Sequence, residues 1–154
     1  MQIKTAFDVV TTVGFAVILT LSGLQGASAD ERRGVSDAEC SNQTLRGDYA
    51  FVIDGTILTG PSPLPLRGVA MTHFDGDGTL NQVDFVTLNG NAAGPDWRPA
   101  TGTYVVNPDC TGEAQIIPDG APPLSLRLVV GDRGRQVWTV VIGNATGSTG
   151  TRVR

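Results

Sequence analysis

Lysine is nearly missing from this 154-residue chain: Lys4 is the one lysine among 11 basic residues, against 15 acidic ones. The net charge is −4, and no cluster of arginines interrupts it. Such a surface has nothing with which to attract nucleic acid, so that class of partner is set aside. Histidine is as scarce. His73 stands alone, which excludes a multi-histidine metal site. Long apolar stretches of helical period are also lacking. All nine prolines and most of the 20 glycines fall after residue 29, and punctuation this dense favours many short strands over helices.

Chemical signatures are missing too. No serine lies in a Gly-x-Ser-x-Gly context, and a single histidine would have to serve any triad alone. No glycine-rich phosphate cradle joins a strand to a helix, so no cofactor is expected. Asp75 and Asp77, with Thr79 and Asn81, superficially resemble a calcium loop. The positions that should hold the loop's glycine and its bidentate glutamate are Leu80 and Val86, so a hairpin turn is the reading, and no metal is expected. Asp84, Asp54 and Glu113 are the acids that a glycosidase pairing would draw on, and ordinary surface acids account for them equally well.

What is present begins with a leader. Lys4 precedes an uncharged apolar run from Val9 to Leu24, and Ala27-Ser28-Ala29 then offers a small-x-small cleavage site before Asp30. The run is shorter than the ~20 residues a membrane span needs, so residues 1–29 are expected to be a cleaved signal peptide rather than an anchor. The protein is then secreted or periplasmic. Residues 30–39 are charged and aperiodic, a flexible tail, and residues 40–154 make one domain. In an oxidising compartment the two cysteines, Cys40 and Cys110, are expected to pair.

Period-two alternation marks the strands. Leu45, Gly47, Tyr49, Phe51, Ile53 and Gly55 share one face of the first. Further strands are expected at Leu66–Phe74, Thr79–Leu88, Gly102–Asn107, Glu113–Ile117, Leu124–Val130 and Gln136–Ile142, with a short eighth around Thr151–Val153. Loops are expected at 60–65, 91–99 and 118–123. Asp75-Gly76-Asp77-Gly78 is the turn of a hairpin. The fold class is therefore all-β, an antiparallel meander closing into a small barrel of seven or eight strands, with a two-sheet β-sandwich as the alternative. A barrel of this size is either filled by its own side chains or hollow enough for one small ligand.

These residues also carry a resemblance. Cys40, then Leu45-x-Gly47-x-Tyr49-x-Phe51, Phe74-Asp75-Gly76-Asp77-Gly78, and Gly102-x-Tyr104 leading to Asp109-Cys110-x-Gly112 are similar to a group of secreted bacterial β-barrel proteins without assigned function. More distantly, Gly47-x-Tyr49 resembles the Gly-x-Trp signature of the calycins, lipocalins among them, with tyrosine in place of tryptophan. The resemblance implies a barrel and a life outside the cytoplasm. It hands over no catalytic residue.

Three functions stay open: a binding module for a small apolar or aromatic molecule, an interaction protein of the cell envelope, and a cofactor-free isomerase or cyclase. Under the first, Tyr49, His73, Phe85, Trp97, Tyr104 and Trp138 are the candidate ligand-binding residues, and the protein is a monomer or weak dimer. Under the third, His73 would be an acid–base group facing Tyr49, Asp84 or Tyr104 inside the barrel.

Overall fold

A computed structural model describes residues 39–94 and 96–154. The expected leader, and the expected tail apart from Glu39, lie outside the described residues. Among the described residues nine strands follow one another: β1 (Arg46–Ile57), β2 (Leu64–Asp75), β3 (Thr79–Leu88), β4 (Asn91–Ala92), β5 (Arg98–Val106), β6 (Thr111–Pro118), β7 (Leu124–Gly131), β8 (Gln136–Val141) and β9 (Ala145–Arg152). Short 3-10 turns occupy Asn42–Thr44 and Asp132–Gly134.

All pairings are antiparallel. Each long strand pairs with the next, and β1 also pairs with β9, from Tyr49 opposite Arg152 to Thr56 opposite Ala145. β2 bonds to β3 as well as to β1, so eight strands close into a barrel and the two-residue β4 hangs outside β3. Closure leaves no free edge on the ring, and the sandwich alternative falls.

The alternation sorts side chains as a barrel requires. Tyr49, Phe51 and Ile53 point inward from β1, as do Leu66, Ala70, Thr72 and Phe74 from β2, while Val52, Val69 and His73 point out. Boundaries differ from the sequence expectation most at β9, β5 and β2; β6 also starts two residues early, at Thr111, and β4 lies within the expected loop at 91–99. β9 starts at Ala145 rather than near Thr151, because Ala-Thr-Gly-Ser-Thr-Gly shows no apolar alternation. Its place comes from ladders on both sides, to β1 and to β8. β5 starts at Arg98, inside the expected loop, with Pro99 opposite Val83. β2 likewise takes in Leu64 and Pro65.

The two ends of the barrel differ. One end is closed by a core of Leu45, Tyr49, Phe74, Leu80, Tyr104, Val106, Leu128, Val130 and Val137. Phe74 meets Tyr49 and Tyr104 edge-on, with ring centroids 5.3 and 5.0 Å apart. The Cys40–Cys110 disulfide is formed and joins the chain before β1 to the β5–β6 turn, closing a loop of 70 residues. At this end Asp75 caps its own hairpin. Its carboxylate accepts the N–H groups of Asp77, Gly78 and Thr79 and the Thr79 hydroxyl. Gly76 and Gly78 sit there at φ +90° and +120°, which a side chain would strain.

Candidate functional site

The other end is open. Its rim is made by the β1–β2, β4–β5, β6–β7 and β8–β9 connections, which carry Pro122, Pro123 and Gly143 among the residues facing the opening. Beneath the rim lies a cavity of about 640 Å³. Its wall is mostly aliphatic: Ile53 and Ile57 from β1, Leu66 from β2, Val86 from β3, Ile116 from β6, Leu126 from β7 and Val141 from β8. Phe51, Phe74, Leu80 and Leu128 form the bottom of the cavity, where it meets the closed-end core. The space exists because several inward positions carry little side chain. Ala114, and Ser148 opposite Ile53, line it where a leucine would fill it.

One polar cluster interrupts the wall, at the junction of β2, β3 and β5. The buried Asp84 carboxylate accepts two bonds from Arg98, Nε at 3.0 Å and Nη2 at 3.1 Å. Gln82 donates to the same carboxylate at 3.3 Å, and its own carbonyl accepts the Thr72 hydroxyl at 2.8 Å. A bidentate arginine fork of this kind is among the stronger polar contacts a protein makes. β8 stands four strands away from β3 in the ring of eight, so the far wall is β8–β9. There Thr139 and Ser148 share a hydrogen bond of 2.7 Å and also line the cavity.

None of the six sequence candidates lines this cavity. Tyr49 and Tyr104 are buried in the closed end, and both act through their hydroxyls. Tyr49 donates to the Gly134 carbonyl. Tyr104 donates to the Leu45 carbonyl at 2.9 Å and accepts the Gly76 N–H at 2.9 Å. Burial pushes both phenols up, Tyr104 to about 12 with help from Asp75 and Asp77, while Arg152 opposes the rise at Tyr49. His73 faces outward and pairs with Asp48 at 2.7 Å. The expected meeting of His73 with Tyr49, Asp84 or Tyr104 inside the barrel therefore does not occur, because the pleat puts His73 on the same side as Val69 and Met71. Phe85 and Trp97 do meet, at 6.0 Å between ring centroids, but on the outside wall. Trp138 is also outside, lying over Gly131.

Sequence reasoning passed over Arg98, which it placed in a loop, and named Asp84 as one acid among several and as a partner for His73, not for an arginine. A signal was available. Gln82 and Asp84 interrupt an inward run that is otherwise Leu80, Val86 and Leu88, and a polar pair inside an apolar face has to be satisfied by something.

Asp54 and Glu113 lie outside the cavity, paired with Arg67 at 2.7 Å and Arg127 at 3.1 Å. Among the described residues no group of three or more His, Cys, Asp or Glu is placed to hold a metal ion. No protein-family model, curated protein or solved structure matches the chain.

Proposed function

We infer that this is an exported binding module that holds one small, largely apolar molecule in the open half of the barrel. The observation that carries the reading is the cavity itself. Its volume of about 640 Å³ falls within the ~300–1,000 Å³ of ordinary ligand sites, and aliphatic wall with a few convergent polar groups is the usual lining of such sites. The closed end supports it by supplying a rigid floor. Export is supported by the formed disulfide, since such bonds persist in oxidising compartments.

Titration with an uncharged naphthylamine dye, whose emission shifts to the blue in apolar surroundings, tests the reading. One saturable site is expected, lost when a bulky side chain is placed at Ala114. Failure of the dye to bind would sink it. For export, the mass of protein recovered from outside the cytoplasm should correspond to a chain starting at Asp30 with one disulfide.

A specific observation favours a second reading, the envelope interaction protein. Val52, Val69 and Phe85 stand opposite one another across β1, β2 and β3 on the outside, with Val83 and Trp97 beside them. Exposed apolar bands of this kind mark contact surfaces. Sedimentation of Val69→Arg beside the parent chain tests it: self-association or partner capture that the charge abolishes would favour this reading. The isomerase or cyclase reading gains least. His73 and Arg127 face outward, and Asp84 is already engaged by three donors.

A further inference from the structure

The polar cluster narrows the ligand's chemistry, on the condition that the cavity is a binding site at all. Asp84 accepts from Arg98 Nε, Arg98 Nη2 and Gln82 Nε2, so most of its lone-pair capacity is spent. Gln82's carbonyl accepts the Thr72 hydroxyl. The cluster's uncommitted charged group is a donor. Arg98 Nη1 bonds to no acceptor among the described residues, and Arg98 both lines the cavity and keeps about a third of its side chain exposed, 32%.

The charge of that donor is already balanced, because the guanidinium and the Asp84 carboxylate sum to zero. A ligand carboxylate reaching Nη1 would put a second negative charge beside Asp84 in a partly dry site, with one cation between them. Its desolvation would be repaid by only a fraction of an ion pair. A carbonyl oxygen sheds far less hydration and still receives a charge-assisted hydrogen bond. The chain has no lysine beyond Lys4, so the barrel wall offers no amine for trapping a carbonyl covalently.

We propose that the cavity selects an uncharged, mainly aliphatic carbonyl compound (a ketone, ester or lactone), with its oxygen on Arg98 Nη1, and that Asp84 excludes the carboxylate analogue. On the far wall the Thr139–Ser148 hydroxyl pair can meet a second polar group of either kind. The arrangement runs opposite to a site in which an uncompensated arginine captures an anion.

The test is displacement of bound N-phenylnaphthylamine, itself uncharged, by a long-chain methyl ketone and by the carboxylate of equal chain length at neutral pH. The ketone should compete about tenfold more tightly, the discrimination expected when one charge-assisted hydrogen bond is gained without a buried like charge. Asp84→Asn removes the compensating charge and should reverse the order. A carboxylate that competes as well as the ketone in the parent protein overturns the proposal and leaves the cavity as a binding site. An unchanged order in Asp84→Asn overturns the role given to Asp84. Absence of dye binding removes this proposal and the binding reading together. Should Asp84→Asn fail to fold, the ketone–carboxylate comparison in the parent protein decides.

Discussion

Replacing Ala114 by leucine separates a hollow barrel from a packed one. Ala114 lies on β6 between Tyr104 on β5 and Leu126 on β7, half-buried and facing the cavity. In a packed core the larger side chain would have to displace its neighbours, at a cost of about 1–3 kcal/mol. Here it extends into open volume. The added carbons leave water for an apolar wall, and at ~0.8 kcal/mol per buried CH2 they contribute up to about 2 kcal/mol of stability. Ala114→Leu should therefore be neutral to stabilising in urea unfolding followed by circular dichroism, and should weaken dye binding. Gly112→Ala, two residues away and at the closed end, is the internal control. Its new Cβ would lie 2.2 Å from the Val105 carbonyl oxygen, which cannot retreat without breaking the sheet. It should destabilise. Loss of more than 1 kcal/mol in Ala114→Leu, with dye affinity intact, would refute the hollow interior.

Four further outcomes follow from the same geometry. Arg98→Met leaves the buried Asp84 without its cation; breaking a buried pair costs ~3–5 kcal/mol, and Arg98's partial exposure points to the low end, about 3 kcal/mol in urea unfolding. Reducing the disulfide, or replacing Cys40 and Cys110 by serine, should cost about 4 kcal/mol on the chain-entropy estimate for its 70-residue loop, read as a lowered urea midpoint. The two tyrosines are neutral in the fold with raised phenol pKa values, so their contribution is full below the ordinary value of 10.0. It declines above that as pH rises toward about 12 at Tyr104, and tyrosinate absorbance should appear late, together with unfolding. Asp75 and Asp109 are held below the carboxylate range, mainly by the hydroxyls of Thr79 and Thr111, so their contribution is complete above pH 3.8 and falls away below it; Asp75→Ala should flatten that acid limb in pH-dependent unfolding.

Much of the fold was legible because its signals are local. Leu124–Val130 alternates cleanly between turn residues, and β7 occupies that span. The cysteines had one way to pair. Parity, by contrast, could not say which face was inside. Val52, Val69, Val83, Val129 and Val140 make the outer face of several strands as apolar as the inner one, so alternation was visible but its sense was not. The aromatic residues misdirected for a related reason. Tyrosine suits a boundary where a ring is buried and a hydroxyl must find a carbonyl, which is the closed end, whereas the cavity is walled by isoleucine, leucine and valine. Arg98 and Asp84 lie 14 residues apart in sequence, and only the register of β3 against β5 puts them opposite each other.

The seam between β1 and β9 has a consequence for how the chain can be made. Every other contact in the ring joins strands that follow one another along the chain, with only the two-residue β4 between β3 and β5, and can form as each hairpin is completed. The seam joins the first of the described strands to the last. Until residues 145–152 arrive, β1 keeps a row of unpaired N–H and C=O groups, and Phe51 lacks the Gly150 backbone against which its ring lies. The nascent chain is thus a curved, open sheet with two sticky margins. A chain ended before β9 would find its missing strand on a neighbouring molecule, and β1 is the margin it would offer.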